Sequence, residues 1–418
     1  MGLSALITIA IARIAGAQSV GTYALLVLFA SFSVVFIRGT VGAVLFRQLA
    51  RSRSDEDHAQ ALGLLRFSYR CLAYTLPLAI VFSGLLIFRL KMPQHEPAWL
   101  FFLAAVAIMV FESWAAIQLS ALRGANRSLT AQTIEGVVRP SCLLLGIAIA
   151  LIAFGAEMPL TALCLGYLAG LVATRMAGSY FMRRAIGAMP PSTIGFRDFA
   201  RDYGSQALFF FGSSFTATVI ASFDIAISAL LLSVTDLGLY KIVLQLSIVA
   251  NALFVGLNFH VSREFAAFRH VASADREVER RAQYFAWLCV LFALAVTAFL
   301  ILFGDRAVSI LFDVAPAPSW HLFAVVGASF VVNGAFGMAS SFLMMNHDER
   351  YVFKWSILSI VVAMPVGYLL VTLFDVFGVG AAQLFITLLW NAGLAWRCRR
   401  KFGFNPTIFS LRRADDHP

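Results

Sequence analysis

The chain has 418 residues, 60% of them hydrophobic and 13% charged, with a mean hydropathy of +0.83 and a formal net charge of +10. No water-soluble globule is this apolar. A separate soluble domain is excluded too, because the longest polar stretches, residues 48–63 and 262–283, hold about 20 residues and are too short to bury a core.

In hydrocarbon every backbone amide must bond within its own segment, and a helix needs roughly 20 apolar residues to cross about 30 Å. Twelve such segments are predicted, over residues 2–17, 21–46, 66–88, 98–121, 133–154, 158–181, 205–232, 237–260, 283–304, 320–343, 352–374 and 377–396. The first is short for a span, so it is expected to tilt or to continue from residues upstream. It lacks the basic start and cleavage site of a signal peptide. Residues 12–26, ARIAGAQSVGTYALL, join it to the second segment, and their core recurs as residues 233–243, SVTDLGLYKIV. In both copies a polar turn, Gln18-Ser19 or Thr235-Asp236, leads into Gly-x-Tyr (Gly21 and Tyr23, Gly238 and Tyr240) and then a long apolar run. Ser19 and Asp236 are the expected N-caps, each offering a side-chain oxygen to the unpaired amides of a first helical turn.

The second segment carries Arg38 inside apolar sequence, followed by Gly39-Thr40-Val41-Gly42. Arg66 and Arg70 open the third, Glu112 lies in the fourth, and a short basic turn, residues 121–127, follows it. The counterpart of that turn after the tenth segment is residues 343–350. The fifth holds Glu135, Arg139 and Pro140; the sixth holds Arg175 and ends in Arg183-Arg184. Residues 185–202, centred on Pro190-Pro191, are the one stretch with linker character. The pattern then restarts: Asp224 in the seventh segment, Lys241, Asn251 and Asn258 in the eighth, and four nearly uncharged segments in which Asn333 and Asn391 are the main polar insertions. The twelfth ends in Arg397-Cys398-Arg399-Arg400, much as the sixth ended in arginines.

The two copies keep a register of about 217 residues. Six helices per copy means that both halves enter from the same side, as parallel repeats about an axis near the membrane normal. The expected organisation is a six-helix lobe over residues 1–184, a cytoplasmic linker over 185–204, a second six-helix lobe over 205–396 and a basic tail over 397–418. With the N-terminus inside, 24 Lys and Arg fall on the cytoplasmic side against 4 outside, which fixes both termini as cytoplasmic. The positive charge is thereby explained by loop retention rather than by nucleic acid, and the tail is expected to touch anionic membrane lipids. The five Cys and seven His form no metal or redox spacing, and no Gly-rich phosphate loop is present, so no catalytic residue, metal or bound cofactor is expected.

A charge at mid-bilayer costs on the order of 3 kcal/mol, so it faces a cavity or a partner. Four cations, Arg38, Arg139, Arg175 and Lys241, stand against Glu112, Glu135 and Asp224. Glu135 and Arg139, four apart on one helix, are placed to pair. Asp224 is placed to pair with Lys241 or to carry a proton or sodium ion, and Arg175 to snorkel. Trp114, Trp287, Trp355 and Trp390 read first as interface anchors and second as stacking surfaces for sugar rings.

With AR-x-x-G-x-x-x-x-G-x-Y-A-L at Ala12 to Leu25, a small-residue turn after the fourth segment, an acidic residue in the seventh and G-L-Y at Gly238 to Tyr240, the chain resembles polysaccharide transporters of the multidrug/oligosaccharidyl-lipid/polysaccharide (MOP) superfamily, including the Wzx-type O-antigen flippases. The resemblance implies a MATE-like all-α membrane fold, two six-helix lobes around a central cavity. It implies passage of undecaprenyl-pyrophosphate-linked oligosaccharide from the inner to the outer leaflet of a bacterial inner membrane by alternating access, without covalent chemistry. Polysaccharide polymerase or assembly proteins would be partners, and a proton or sodium gradient or the membrane potential would supply the drive. On that reading Arg38 and Arg139, with Arg13 at the mouth and with Arg175 and Lys241, hold the diphosphate, because a guanidinium donates two parallel hydrogen bonds to phosphate oxygens and stays charged. Asp224, with Glu135 and Glu112, is left for ion coupling or charge pairing. A cation-coupled multidrug exporter of the same superfamily would need a cavity weighted toward acids. A membrane polymerase would need a large outer loop, whereas the longest here, residues 304–320, offers only Asp305, Arg306 and Asp313.

Overall fold

In the computed structural model of the chain the described residues are 2–37, 42, 44–45, 63–70, 72–73, 77, 80–81, 84, 98–125, 127–154, 160–186, 196–266, 272–313, 320–346 and 348–409. Among them there is no strand, and within the twelve predicted segments they are helical apart from short breaks at Ser222, Leu232 and residues 336–338. Six helices are long and apolar enough to cross a membrane, or eight with each of two bent pairs taken as one span. The chain is an all-helical, multi-pass membrane protein. It divides into two compact units, residues 1–241 with 312–314, and residues 242–311 with 315–418.

The first unit opens with α1 (Gly2–Ile37), which contains a non-helical residue, Gly16, at φ 75° and ψ 177°. A side chain is disfavoured at such a positive φ, so glycine holds the break at low cost. The break falls where the first two predicted segments meet. Ser19 is not an N-cap: it lies one turn into the second stretch and its hydroxyl donates to the Ala15 carbonyl at 2.9 Å. Thr22, Ser31, Thr174 and Thr216 bond back four residues in the same way, which lets hydroxyls sit in an apolar span without a partner elsewhere.

After α2 (Ala98–Gly124) and α3 (Ser128–Thr133) comes a π-helical turn, Ile134–Val138, leading into α4 (Arg139–Phe154). Pro140 explains it, because a proline has no N–H to offer the Gly136 carbonyl and the extra residue of a π turn absorbs the missing bond. α5 (Leu160–Ile186) packs on α4 through small residues. A Cβ at Gly166 would lie 3.0 Å from the Ile147 nitrogen, and one at Gly170 would lie 3.0 Å from the Leu143 Cα. Such close backbone approach stabilises helix pairs where lipid removes the hydrophobic drive. α6 (Phe196–Ala221) and α7 (Phe223–Leu231) follow, bent by 62° at Ser222.

α8 (Val234–Ser247) begins three residues earlier than expected. Ser233, not Asp236, is the N-cap: its Oγ accepts the Asp236 N–H at 3.1 Å and donates to the Asp236 carboxylate at 2.6 Å. Ser233 and Asp236 stand at the N-cap and third helical positions of a capping box, and the serine side chain makes its half of that motif. The two Gly-x-Tyr copies then meet each other. A Cβ at Gly21 would strike the Val234 carbonyl oxygen, and one at Gly238 would strike the Ala17 carbonyl oxygen and lie 3.0 Å from the Gly21 nitrogen. Each glycine contacts the residue four before the other.

The second unit contains a 3-10 turn (Ile248–Asn251), α9 (Ala252–Ala266), α10 (Ala272–Phe312), α11 (Trp320–Ala335), α12 (Ala339–Met345) and α13 (Glu349–Phe402). Straight, the 54 residues of α13 would run about 80 Å, far beyond a bilayer. The chain reverses at Asp375, φ 48° and ψ −128°. Trp355 Nε1 donates to the Leu389 and Trp390 carbonyls at 3.2 Å each, and Trp390 Nε1 donates to Ser356 at 2.9 Å, links that require an antiparallel hairpin. These are the eleventh and twelfth predicted segments, and their tryptophans fasten the two helices together.

An amide chain ties this unit together: Asn391 donates to Asn333 at 3.2 Å and Asn333 to Asn251 at 3.4 Å. Gly403, in the left-handed region, ends α13. Phe404 then stacks on Phe342 with centroids 4.0 Å apart, and the Ile408 N–H donates to the Ala335 carbonyl at 3.0 Å. Arg399 donates to Asn405, Thr407 and the Phe409 carbonyl, while Arg397 and Lys401 both reach Asp348. The cations that open the predicted tail therefore have partners within the protein.

Candidate functional site

A cavity of about 540 Å³ lies within the first unit, lined by α1, α2, the π turn, α4, α5 and α6. α1 contributes Ser31 and valines, and α6 contributes Ser214 and Thr218, continued by Ser222 at the bend, a hydroxyl stripe at four-residue spacing. The charged wall comes from the other helices: Glu112 and Arg123 from α2, Glu135 from the π turn, Arg139 from α4, with Tyr167 from α5 beside them.

Arg139 donates to the Glu112 carboxylate and, at 2.9 Å, to the Tyr167 hydroxyl, which in turn donates to Glu112 at 3.1 Å. Three helices thus close a ring of hydrogen bonds. The Glu112 side chain is 6% exposed and the Arg139 side chain 23%, so this pair is largely withdrawn from water. Tyr23 of α1 meets Tyr167 edge-on, with ring centroids 6.2 Å apart. Arg123, further along α2 from Glu112, forms a second ion pair with Glu135, which lies about one turn before Arg139. Breaking either pair by removing one member leaves a poorly solvated charge, and that cost exceeds the net value of the pair itself.

The cavity brings together three of the eight residues singled out from sequence: Glu112, Glu135 and Arg139. The predicted Glu135–Arg139 pair does not form, because Glu112 and Tyr167 on neighbouring helices take the Arg139 guanidinium and Arg123 takes Glu135. Arg175 lies instead over the Trp114 ring at 3.8 Å and the Phe111 ring at 5.9 Å, a cation–π stack outside the cavity lining. Trp114 is therefore covered by a cation. Arg13 is exposed on α1, and Arg38 falls outside the described residues. Asp224 is buried, accepting from the Tyr240 hydroxyl at 2.8 Å and the Ile225 N–H at 2.8 Å. In place of the expected Asp224–Lys241 ion pair, the carboxylate is held by the tyrosine hydroxyl.

Two features escape a reading of the sequence. Arg123 sits in what reads as a basic turn, whereas α2 runs through it to Gly124 and delivers its side chain to the cavity. The Ser214, Thr218, Ser222 stripe is legible only as hydroxyls every fourth residue of a span. Among the described lining residues the charges are two arginines against two glutamates, and each arginine is paired with one of the acids.

No protein-family model matches the chain, and no curated protein sequence does. Solved structures do. One is the inward-facing conformation of a multidrug resistance MATE family transporter of the MOP superfamily, with a TM-score of 0.71 and 13% identity over 94% of this chain and 92% of that one. Another is the lipid II flippase MurJ in an inward closed conformation, with a TM-score of 0.73 and 11% identity over 95% of this chain and 85% of that one. A third is the MATE multidrug transporter DinF-BH, with a TM-score of 0.65 and 16% identity over 96% of this chain and 93% of that one. At such identities the likeness establishes the fold, which is that of the MOP transporters.

Proposed function

We propose that the chain is a transporter that carries an undecaprenyl-diphosphate-linked oligosaccharide from the inner to the outer leaflet of a bacterial inner membrane, by alternating access of two lobes and without covalent chemistry. The observation that carries this reading is the placement of Arg123 and Arg139 on one wall of a cavity in a membrane-embedded unit, which a stripe of hydroxyls also lines. Guanidinium forks suit a diphosphate, and hydroxyls suit a sugar, while the polyprenyl tail stays in lipid. The fold is shared with a protein described as a lipid II flippase. Asp224, buried against Tyr240, is the residue we assign to ion coupling.

Loss of the gene should trap lipid-linked oligosaccharides with intact sugars on the cytoplasmic leaflet and deplete surface polysaccharide. Single unpolymerised units on the outer face would instead place the chain after translocation.

A second reading is favoured by the carboxylates. The cavity holds as many glutamates as arginines, and two similar structures are described as multidrug transporters. That reading requires overexpression to raise resistance to cationic dyes while leaving lipid-linked glycans unchanged.

A further inference from the structure

Both arginines that face the cavity already hold a carboxylate: Arg139 holds Glu112, and Arg123 holds Glu135. Among the described residues these are the cations that line the space, so an anionic head group that takes the bonds they now give to carboxylates exchanges with the glutamates. We infer that Glu112 is a displaceable placeholder for the diphosphate, and that its release from Arg139 couples substrate binding to uptake of one proton. This rests on the diphosphate reading given above.

The geometry supports the exchange step by step. Tyr167 stands between the partners, accepting from Arg139 and donating to Glu112. When a phosphate oxygen takes the guanidinium, Tyr167 can keep its bond to Glu112, so the displaced carboxyl is not stranded. Glu112 is then a carboxylate at 6% exposure that has lost its counter-ion, and an uncompensated buried charge is costly. One proton from water binds the carboxylate at Oε2, the oxygen that Tyr167 does not hold. Charge balances: the guanidinium–carboxylate pair becomes a guanidinium–phosphate pair plus a neutral acid.

The charged and titratable groups around Glu112 are consistent with this. Among the described residues they are Arg139 from α4, Tyr167 from α5, Tyr23 from α1, Glu135 from the π turn, and Arg123 along its own helix. Once Arg139 is taken, Glu135 opposes a charged Glu112, and the tyrosines supply no positive charge. Glu135 starts from a more open position, 34% exposed against 6% for Glu112, so the loss of its arginine costs it less. The arrangement therefore assigns the proton to Glu112 and not to both acids.

The test is calorimetric titration of the purified chain in detergent with geranylgeranyl diphosphate, in buffers of different ionisation enthalpy. The number of protons taken up on binding follows from the buffer dependence. A diphosphate has a proton of its own near neutrality, so the reading is the difference between wild type and Glu112→Gln. Wild type should take up about one proton more than Glu112→Gln near pH 7, and its affinity should fall by up to about tenfold per pH unit through the range of coupling, with a flatter profile in the variant. Glu112→Gln should also bind more tightly, since no carboxylate competes for Arg139. Glu135→Gln should retain the extra proton. Binding with equal proton uptake in wild type and Glu112→Gln overturns the placeholder role and leaves the diphosphate reading intact. Absence of diphosphate binding in wild type overturns both. If Glu112→Gln does not fold, titration of the wild type with a polyprenyl-diphosphate sugar, a diester with no proton of its own near neutrality, decides the matter: binding without proton uptake contradicts the inference.

Discussion

Gly21 and Gly238 occupy the same place in the two copies of a repeated Gly-x-Tyr motif, and each lies against the backbone of the other's helix, Gly21 on Val234 and Gly238 on Ala17 and Gly21 itself. The contact is between main chains, so neither partner can yield by rotating a side chain. Gly238→Ala is therefore expected to destabilise the protein by about 1–3 kcal/mol, as overpacking does elsewhere. Gly256→Ala is the control, since a Cβ there meets nothing within 4 Å. Thermal unfolding in detergent should show a lower midpoint for the first and an unchanged or higher one for the second.

The buried Asp224–Tyr240 bond is the second place where one atom matters. Tyr240→Phe removes the hydroxyl that donates to that carboxylate and leaves a buried acceptor short of a partner, at a cost of about 1–3 kcal/mol. If Asp224 couples transport to an ion, Asp224→Asn should abolish gradient-driven transport while the protein remains folded. Normal gradient dependence in that variant removes Asp224 from the coupling role.

Asp348 sets an acid limit on the second unit. Burial pushes its carboxyl up, but hydrogen bonds and charge from Arg397 and Lys401 outweigh burial and hold it below its ordinary value of 3.8. A depressed folded value means that its contribution is complete above 3.8 and is lost as the pH falls through the lower folded value. Asp348→Asn should cost about 2 kcal/mol at neutral pH, and its stability should fall less steeply than wild type below pH 3.8. Unfolding midpoints measured down the acid limb check both.

The C-terminal strap makes a packing prediction. Phe404 is fully buried, stacked on Phe342 and edge-on to Phe265. Phe404→Ala should destabilise the second unit by about 3–5 kcal/mol, with proteolysis beginning near the strap. An unchanged unfolding midpoint would show that residues after Phe402 do not hold the unit together.

The helices are legible in the sequence because apolar length is a strong signal, and even the break at Asp375 falls in the gap between two predicted segments. Partner choice is not legible. Glu135 and Arg139 sit four apart, and nothing in one helix reveals that Glu112 and Tyr167 arrive from two others to claim the arginine. Residue type alone makes caps of Ser19 and Asp236; the hydroxyl of Ser19 bonds back to Ala15, and Ser233 precedes Asp236 with the better geometry. Arg123 is misplaced because a helix end beside a basic turn looks like the turn. The charge balance of the cavity depends on all these choices, which is why the sequence reads as an excess of cations where the described walls hold pairs.

Transport of a diphosphate-linked lipid through the Arg139 cavity is tested most simply by translocation in reconstituted vesicles. A polyprenyl-diphosphate sugar with a fluorescent label would be placed in both leaflets and the outer pool quenched by a membrane-impermeant reductant. Wild type should render the inner pool accessible, and Arg139→Glu should slow this at least about tenfold while incorporating normally. Equal accessibility in wild-type, Arg139→Glu and protein-free vesicles would contradict the account.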